Sequence, residues 1–403
     1  MTIHVVGLGQ DPDNLPEHSQ GLIEHAELLC AGRDILEHFE DHPAEKLPVA
    51  SPLDAVIERL ADAHADGRMV VVLADGDPLF YGIGATLVER LGPEILRIYP
   101  GVSTLQAAAA KVKIPWQDVA AVSLHGRDDY GPLFAALQSR DWVAVFTDGR
   151  SVPSAIAQTI LDKCGPLFLM WVLEDLESES ERVRRFPLEE AGRTSFSRRN
   201  LVLLERVGAP ELPLGLGLPD EGYAREGNLI TKAPVRAAAL AALRLRPGSV
   251  VWDLGAGCGA VGIEASALCW RGRVHAVEKN AARVGLIRAN VRRTGAFLVE
   301  VVHGTAPACL DELPDPDRIF VGGGLLGGTA LLEAACARLR PGGRLVANVV
   351  LLESLALAES FFAARGWPCE TTLVCAAQSG GLAGGTRLEA HNPVFIVAAQ
   401  HPE

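Results

Sequence analysis

Asp253 closes an apolar run and opens a glycine turn, in Val250-Val-Trp-Asp-Leu-Gly-Ala-Gly-Cys-Gly-Ala-Val-Gly262. Gly255, Gly257 and Gly259, with Ala256 and Cys258 between them, let the backbone bend sharply and approach a ligand closely. The helix that follows would turn its first amides toward that ligand. Asp253 is placed to meet a cationic amino group such as that of methionine. Glu278, at the end of the next strand in Ala276-Val-Glu-Lys-Asn280, is placed to accept hydrogen bonds from ribose hydroxyls. Two ligands satisfy this pattern: S-adenosylmethionine, used as a methyl donor, and a dinucleotide, because Gly255-x-Gly257-x-x-Ala260 followed about twenty residues later by an acid is also the dinucleotide signature. A glycine turn that only permits close packing is a third reading. Gly304-Thr-Ala-Pro307, after the third strand, falls where an adenine contact belongs and favours the methyl donor.

A second set of residues lies upstream. Val5-Val-Gly-Leu-Gly-Gln-Asp-Pro12 is a strand and tight turn without the Gly-Lys of a phosphate loop. Leu73-Ala-Asp-Gly-Asp-Pro-Leu-Phe-Tyr-Gly-Ile-Gly84 and Tyr99-Pro-Gly-Val-Ser-Thr104 each place small polar groups at a strand's carboxyl end, where open α/β sheets bind ligands. Gly76-Asp77-Pro78 also has the composition of a plain turn. In His125-Gly-Arg127 the histidine is a candidate proton carrier and the arginine a candidate carboxylate clamp, although a lone histidine is more often structural. The run of acids from Glu174 to Glu181 reads as a solvated face without chemistry.

The elements that must position these residues alternate as an α/β layer fold requires. Strands are expected at 3–6, 69–74, 95–99, 120–124, 142–147, 167–173 and 201–206. After Gly208-Ala-Pro-Glu-Leu-Pro-Leu-Gly-Leu-Gly-Leu-Pro219, which no regular element tolerates, come a helix at 233–243 and strands at 250–254, 273–277, 296–303, 318–321 and 344–350. Helices fit at 281–293 and 330–339. Strands at 370–377 and 394–399, joined by a glycine-rich segment, form an antiparallel closing hairpin. The expected division is 1–207, a linker at 208–220, and 221–403, in keeping with a 403-residue chain that fits two domains of roughly 200 residues.

Charge narrows the partners. A net charge of −13 without a clustered basic face argues against nucleic acid and anionic membranes. No apolar run spans a bilayer and no basic region leads into an apolar signal core, so the cytoplasm is expected. The eight scattered cysteines contain no C-x-x-C pair, so no metal site and no disulfide framework is expected.

Thr231-Lys-Ala-Pro-Val-Arg236, Gly304-Thr-Ala-Pro307, Val321-Gly-Gly-Gly324, Leu339-Arg-Pro-Gly-Gly-Arg344, Leu351-Leu-Glu353 and His391-Asn-Pro-Val394 make the second half resemble the class I methyltransferase domain of the decarboxylating precorrin C-15 enzymes. That resemblance implies a Rossmann-like fold with cofactor contacts at Thr231, the Gly255–Gly259 loop, Glu278 and Ala306. The family usually carries Asp where this chain has Thr305. Gly76-Asp-Pro-Leu-Phe-Tyr-Gly82 and Pro100-Gly-Val-Ser-Thr104 make the first half, roughly Thr2 to Arg206, resemble the two-lobed tetrapyrrole methylases. This implies cofactor contacts at Gly9, Asp77, Phe80, Ser103, Thr104 and Thr147.

The pairing, methylase lobes first and class I domain second, is similar to the decarboxylating precorrin C-5,15-methyltransferase family of cobalamin biosynthesis. It implies two S-adenosylmethionine sites, methylation at C-5 by the first half, and methylation at C-15 with loss of the ring C acetate carboxylate by the second. His125, Arg236, Glu353 and His391 are the candidate catalytic groups, with Arg225 and Asn392 near them. The resemblance implies a precorrin substrate, and a homo-oligomer, dimer or tetramer, is expected. A substrate with many carboxylates predicts a positive cleft in a negative surface. An RNA or protein methyltransferase would share the Asp253 turn but leave the first half unexplained, and a dinucleotide sensor would share the glycine pattern.

Overall fold

Strands buried on both faces read as unbroken apolar runs, and Val70-Val-Val-Leu-Ala74 is one, with all five residues buried. It sits in the middle of a five-stranded sheet in a computed structural model that describes residues 2–382 and 384–403. The strands are β1 Ile3–Gly7, β2 Leu28–Ala31, β3 Glu45–Pro48, β4 Val70–Ala74 and β5 Leu96–Tyr99, in the order β3-β2-β4-β1-β5. All the pairings are parallel. Alternate residues enter opposite layers: Val70 and Val72 pack with Leu60 on one face, Val71 and Leu73 with Ile23 on the other. β2 and β3 lie outside the expected strands. They are four residues each, and β3 is a half-exposed edge ending in Pro48.

A second sheet contains β6 Val119–Ser123, β7 Trp142–Phe146, β8 Phe168–Glu174, β9 Arg182–Pro187 and β10 Asn200–Arg206, in the order β6-β7-β10-β8-β9. β6 and β7 are parallel, β7 and β10 antiparallel. Glu174, expected on a solvated face, is a correction: it is fully buried, with Arg184 at 2.7 Å and the Ser197 amide at 2.6 Å. Burial opposes its ionisation, yet those two donors outweigh burial and hold it below the ordinary carboxylate range. Glu177 and Glu179 are exposed as expected.

The remaining strands are β11 Val250–Leu254, β12 Arg273–Glu278, β13 Val299–His303, β14 Arg318–Val321, β15 Arg344–Val349, β16 Cys369–Val374, β17 Ala377–Leu382, β18 Gly385–Ala390 and β19 Val394–Gln400. Seven form one sheet in the order β13-β12-β11-β14-β15-β19-β16. β11 to β15 are parallel, and β19 runs antiparallel to both of its neighbours. The chain works outward from β11 to β13, then crosses back to β14. The crevice of an open sheet therefore opens between the ends of β11 and β14. The closing hairpin of β16 and β19 is present, but its connection is not a plain loop: β17 and β18 form a separate two-stranded arm.

Contacts divide the chain into two units. The first takes residues up to Asp128 with Trp142–Ala157 and Met170–Glu205, and the second takes Asp129–Asp141, Gln158–Leu169 and Arg206–Glu403. Part of the 208–220 segment is built into the second unit, because Leu218 and Asp220 are buried and the Gly217 and Leu218 amides donate to Glu264. Among the described residues no helix is long and apolar enough to cross a membrane.

Candidate active site

The turn after β11 has the geometry its glycines allow. Gly255, Gly257 and Gly259 take φ of 74°, 61° and 82°, a region that side chains with a Cβ rarely adopt. Gly259 then begins the helix Ala260–Leu268. Asp253 is 1 % exposed; its Oδ2 accepts the Gly262 amide at 2.9 Å, and its Oδ1 has no partner among the described residues. Burial, with help from the nearby Glu278 charge and against the Gly262 hydrogen bond, pushes its carboxyl up to about 7. Glu278 accepts the Gly257 amide at 2.9 Å and the Asn280 amide at 3.0 Å, one on each oxygen, which leaves each oxygen a further lone pair.

Asp253 and the turn from Gly255 to Cys258 border a cavity of about 630 Å³. Thr231, Asp253, Gly255, Ala256, Gly257, Cys258 and His391 line it, as does Asn392. His391 is half-buried and its ring Nε2 lies 3.1 Å from Gln378 Oε1 on the β17–β18 arm. Gly259 and Glu278 are not among the lining residues: Gly259 precedes the helix Ala260–Leu268, and Glu278 holds the amide of the lining residue Gly257. Ala306 packs against the apolar core instead of bordering the cavity.

Three expectations are corrected. Arg236 is fully buried and its guanidinium is spent inside the protein, on Glu264 at 2.6 Å, Asp220 at 3.0 Å and the Thr231 and Leu218 carbonyls at 2.5 Å, so it cannot clamp a substrate. Glu353 is exposed in the first turn of the helix Leu352–Ala364, outside the cavity walls. The cavity is not positive either: Lys232 and Arg283 face Glu226 and Asp253, and each cation already has a partner, Asp220 at 3.5 Å and Glu226 at 2.8 Å. Phe320 and Asn348 also line the cavity and were not expected, because neither belongs to a motif.

In the first unit, the loops after β1, β4 and β5 meet. Gly9 and Gly76 exchange backbone hydrogen bonds at 3.3 and 2.9 Å. A Cβ on Gly101 would lie 2.4 Å from the Gly76 oxygen and 2.7 Å from the Gly9 nitrogen. Gln10 reaches Thr104 at 3.2 Å, Ser103 caps the helix Thr104–Val112, and Asp77 accepts the Leu79 amide at 2.8 Å. Phe80 stacks edge-on against Phe146 at 5.7 Å, next to Thr147, whose hydroxyl meets Asn200 at 2.9 Å. Gly9, Asp77, Phe80, Ser103, Thr104 and Thr147 are thus gathered at the strand ends. His125 is exposed with a ring nitrogen 3.4 Å from the Thr147 oxygen, and its neighbour Gly126 donates to Asp148 at 2.8 Å. Amides of Ser151, Gly126 and Arg150 pull that aspartate down to about 2.

A parallel sheet closed by one antiparallel strand inserted beside β15, with a glycine turn, a buried acid and a second acid on the next strand, defines a class I S-adenosylmethionine-dependent methyltransferase. A dinucleotide fold would continue with a second parallel half. Residues 221–399 match the family model of the precorrin methyltransferase domain, and residues 2–192 that of the tetrapyrrole (corrin/porphyrin) methylases. A precorrin-6Y C(5,15)-methyltransferase (decarboxylating) from a Sinorhizobium species is 34% identical over 359 residues, covering 86% of this chain and 84% of its own. A probable cobalt-precorrin-6B C(15)-methyltransferase (decarboxylating) of Pyrobaculum calidifontis is 42% identical over 45% of this chain and 95% of its own. A cobalt-precorrin-7 C(5)-methyltransferase of Salmonella typhimurium is 34% identical over 45% of this chain and 88% of its own. The chain belongs to the precorrin-6Y C(5,15)-methyltransferase (decarboxylating) family.

Proposed function

We propose that the chain methylates a precorrin twice, at C-5 in residues 1–207 and at C-15 in residues 221–403, and that the second site also removes the ring C acetate carboxylate. Each site takes one S-adenosylmethionine. The observation that carries this reading is Asp253 Oδ1, a buried carboxyl oxygen with no partner among the described residues, bordering a cavity behind a glycine turn. A buried unpaired carboxylate oxygen is costly, and the ammonium of the cofactor's methionine end would satisfy it.

The chemistry asks little more of the side chains. When bound, the cofactor supplies a methyl group on a sulfonium. A reduced tetrapyrrole meso carbon is enamine-like and already nucleophilic, so what the protein adds is in-line positioning and exclusion of water. Asp253 would hold the ammonium, Glu278, bonded to the lining residue Gly257, would turn its free lone pairs to the ribose hydroxyls, and Val350 and Leu229, exposed on the cavity wall, would offer apolar surface to a macrocycle. No side chain in the cavity is needed as a nucleophile.

Calorimetric titration of the full-length chain with S-adenosylhomocysteine tests the reading. Two sites are expected, with one lost in Asp253→Asn. Selective binding of NAD at the Asp253 site would overturn it.

A further inference from the structure

Both polar atoms of the Asn348 side chain, Oδ1 and Nδ2, are buried and have no hydrogen-bond partner among the described residues, and the residue borders the same cavity as Asp253. An unpaired buried amide is destabilising, and one on a cavity wall is open to the polar group of a ligand. Which ligand follows from the sheet. Asp253 pairs in register with Phe320, and Phe320 with Val346, two residues before Asn348. Side chains of register partners share a face, as do residues two apart on a strand. Asp253, Phe320 and Val346 therefore stand in a row on one face across β11, β14 and β15, and Asn348 stands on that same face two residues further along β15.

Two strand spacings across and two residues along separate the Asp253 and Asn348 backbones by roughly 12 Å, more than the roughly 9 Å that an α-amino acid spans with a hydrogen bond at each end. The carboxylate of an amino acid is on the same carbon as its ammonium, so a cofactor whose ammonium sits on Asp253 cannot bring its carboxylate to Asn348. The amide is left for the substrate. Beyond it the wall continues to Val350, which is exposed, and to His391 and Asn392.

We infer that Asn348 positions the acetate carboxylate that is lost, with Nδ2 donating to it; the inference rests on the reading of this cavity as the decarboxylating site. In that step the bond between the acetate CH2 and its carboxylate carbon breaks, the electron pair passes into the conjugated macrocycle, CO2 leaves, and a proton from water ends on the carbon skeleton. Charge leaves the carboxylate as the bond breaks, so a cationic clamp would hold the ground state more tightly than the transition state. A neutral amide orients the group without that penalty, and the two cations bordering the cavity, Lys232 and Arg283, are already paired with acids.

The test compares Asn348→Leu and Asn348→Gln with wild-type full-length enzyme on the precorrin substrate, resolving methylated product that keeps CO2 from product that has lost it. Losing a hydrogen bond to a charged group predicts a decarboxylated share of product that falls roughly tenfold or more in the leucine variant. The glutamine variant, which keeps a donor, falls less. S-adenosylhomocysteine affinity stays at the wild-type value, and the leucine variant melts no lower than wild type because it removes an unsatisfied amide. An unchanged product ratio, an equal loss in both variants, or a loss of S-adenosylhomocysteine affinity would each overturn the inference. Wild-type enzyme that transfers no methyl group to the precorrin would instead overturn the functional reading on which it rests.

Discussion

One oxygen of Asp253 accepts the Gly262 amide at 2.9 Å, so close that a Cβ on Gly262 would lie 2.8 Å from it, while the other oxygen has no partner. The glycine on the first turn of the helix lets that turn come down on the carboxylate. The contact aims the acid without satisfying it, and burial carries its carboxyl from about 3.8 up to about 7.

That value sets a pH dependence. The unfolded chain releases this proton near the ordinary value and the folded chain near 7, so between about pH 4 and 7 the folded state holds the extra proton and stability falls as pH rises. Above 7 both states are ionised and the whole penalty is present. Thermal melts of the unliganded protein should show this slope, and Asp253→Asn should flatten it. A cofactor ammonium prefers the ionised form, so S-adenosylhomocysteine affinity at this site should rise from pH 6 to pH 8. An affinity independent of pH would contradict the assignment.

Gly101→Ala tests the first unit. The added methyl would meet three backbone atoms, the Gly76 oxygen, the Gly9 nitrogen and the Gly7 carbonyl carbon, none of which has a rotamer to change. Overpacking of this kind costs about 1–3 kcal/mol or forces the loops apart. Methyl transfer to C-5 should drop more than roughly tenfold, since a small displacement at a positioning loop suffices. C-15 transfer should persist, because the cavity behind Asp253 contains none of these loops. Equal loss at both carbons would argue against separate sites.

Arg236 joins Glu264, Asp220 and two carbonyls in a fully buried network. Arg236→Ala leaves Glu264 without its guanidinium in the core, and removal of one partner of a buried pair costs about 3–5 kcal/mol. The unfolding transition of the second unit should shift to markedly lower denaturant. Arg236→Lys should recover little of it, having no planar fork to serve four acceptors. A variant with wild-type stability and a raised KM for the precorrin would restore Arg236 to the substrate.

Strands packed on both faces, such as β4 and β11, and the turn at Gly255 were legible because their physics is local: an unbroken apolar run, then residues that accept positive φ. Edge elements were not. β9, Arg182-Val-Arg-Arg-Phe-Pro187, carries too many charges to read as a strand, and the β17–β18 arm is hidden by its glycines. Side chains whose meaning depends on distant partners were the other failure. Nothing near Arg236 reveals that Glu264 will face it from 28 residues away, nothing near Glu174 reveals Arg184 and Ser197 beside it, and a lone asparagine at the end of β15 has no motif to announce it.

Two methyl groups are expected to be transferred at two sites, and the one behind Asp253 is expected also to decarboxylate. Full-length wild type and Asp253→Asn, given methyl-labelled S-adenosylmethionine and the precorrin substrate, decide it by product mass. Wild type should yield product carrying two labelled methyl groups and lacking one CO2, whereas the variant should add a single methyl group at C-5 and release no CO2. Two labelled methyl groups and full CO2 release from the variant would contradict the account.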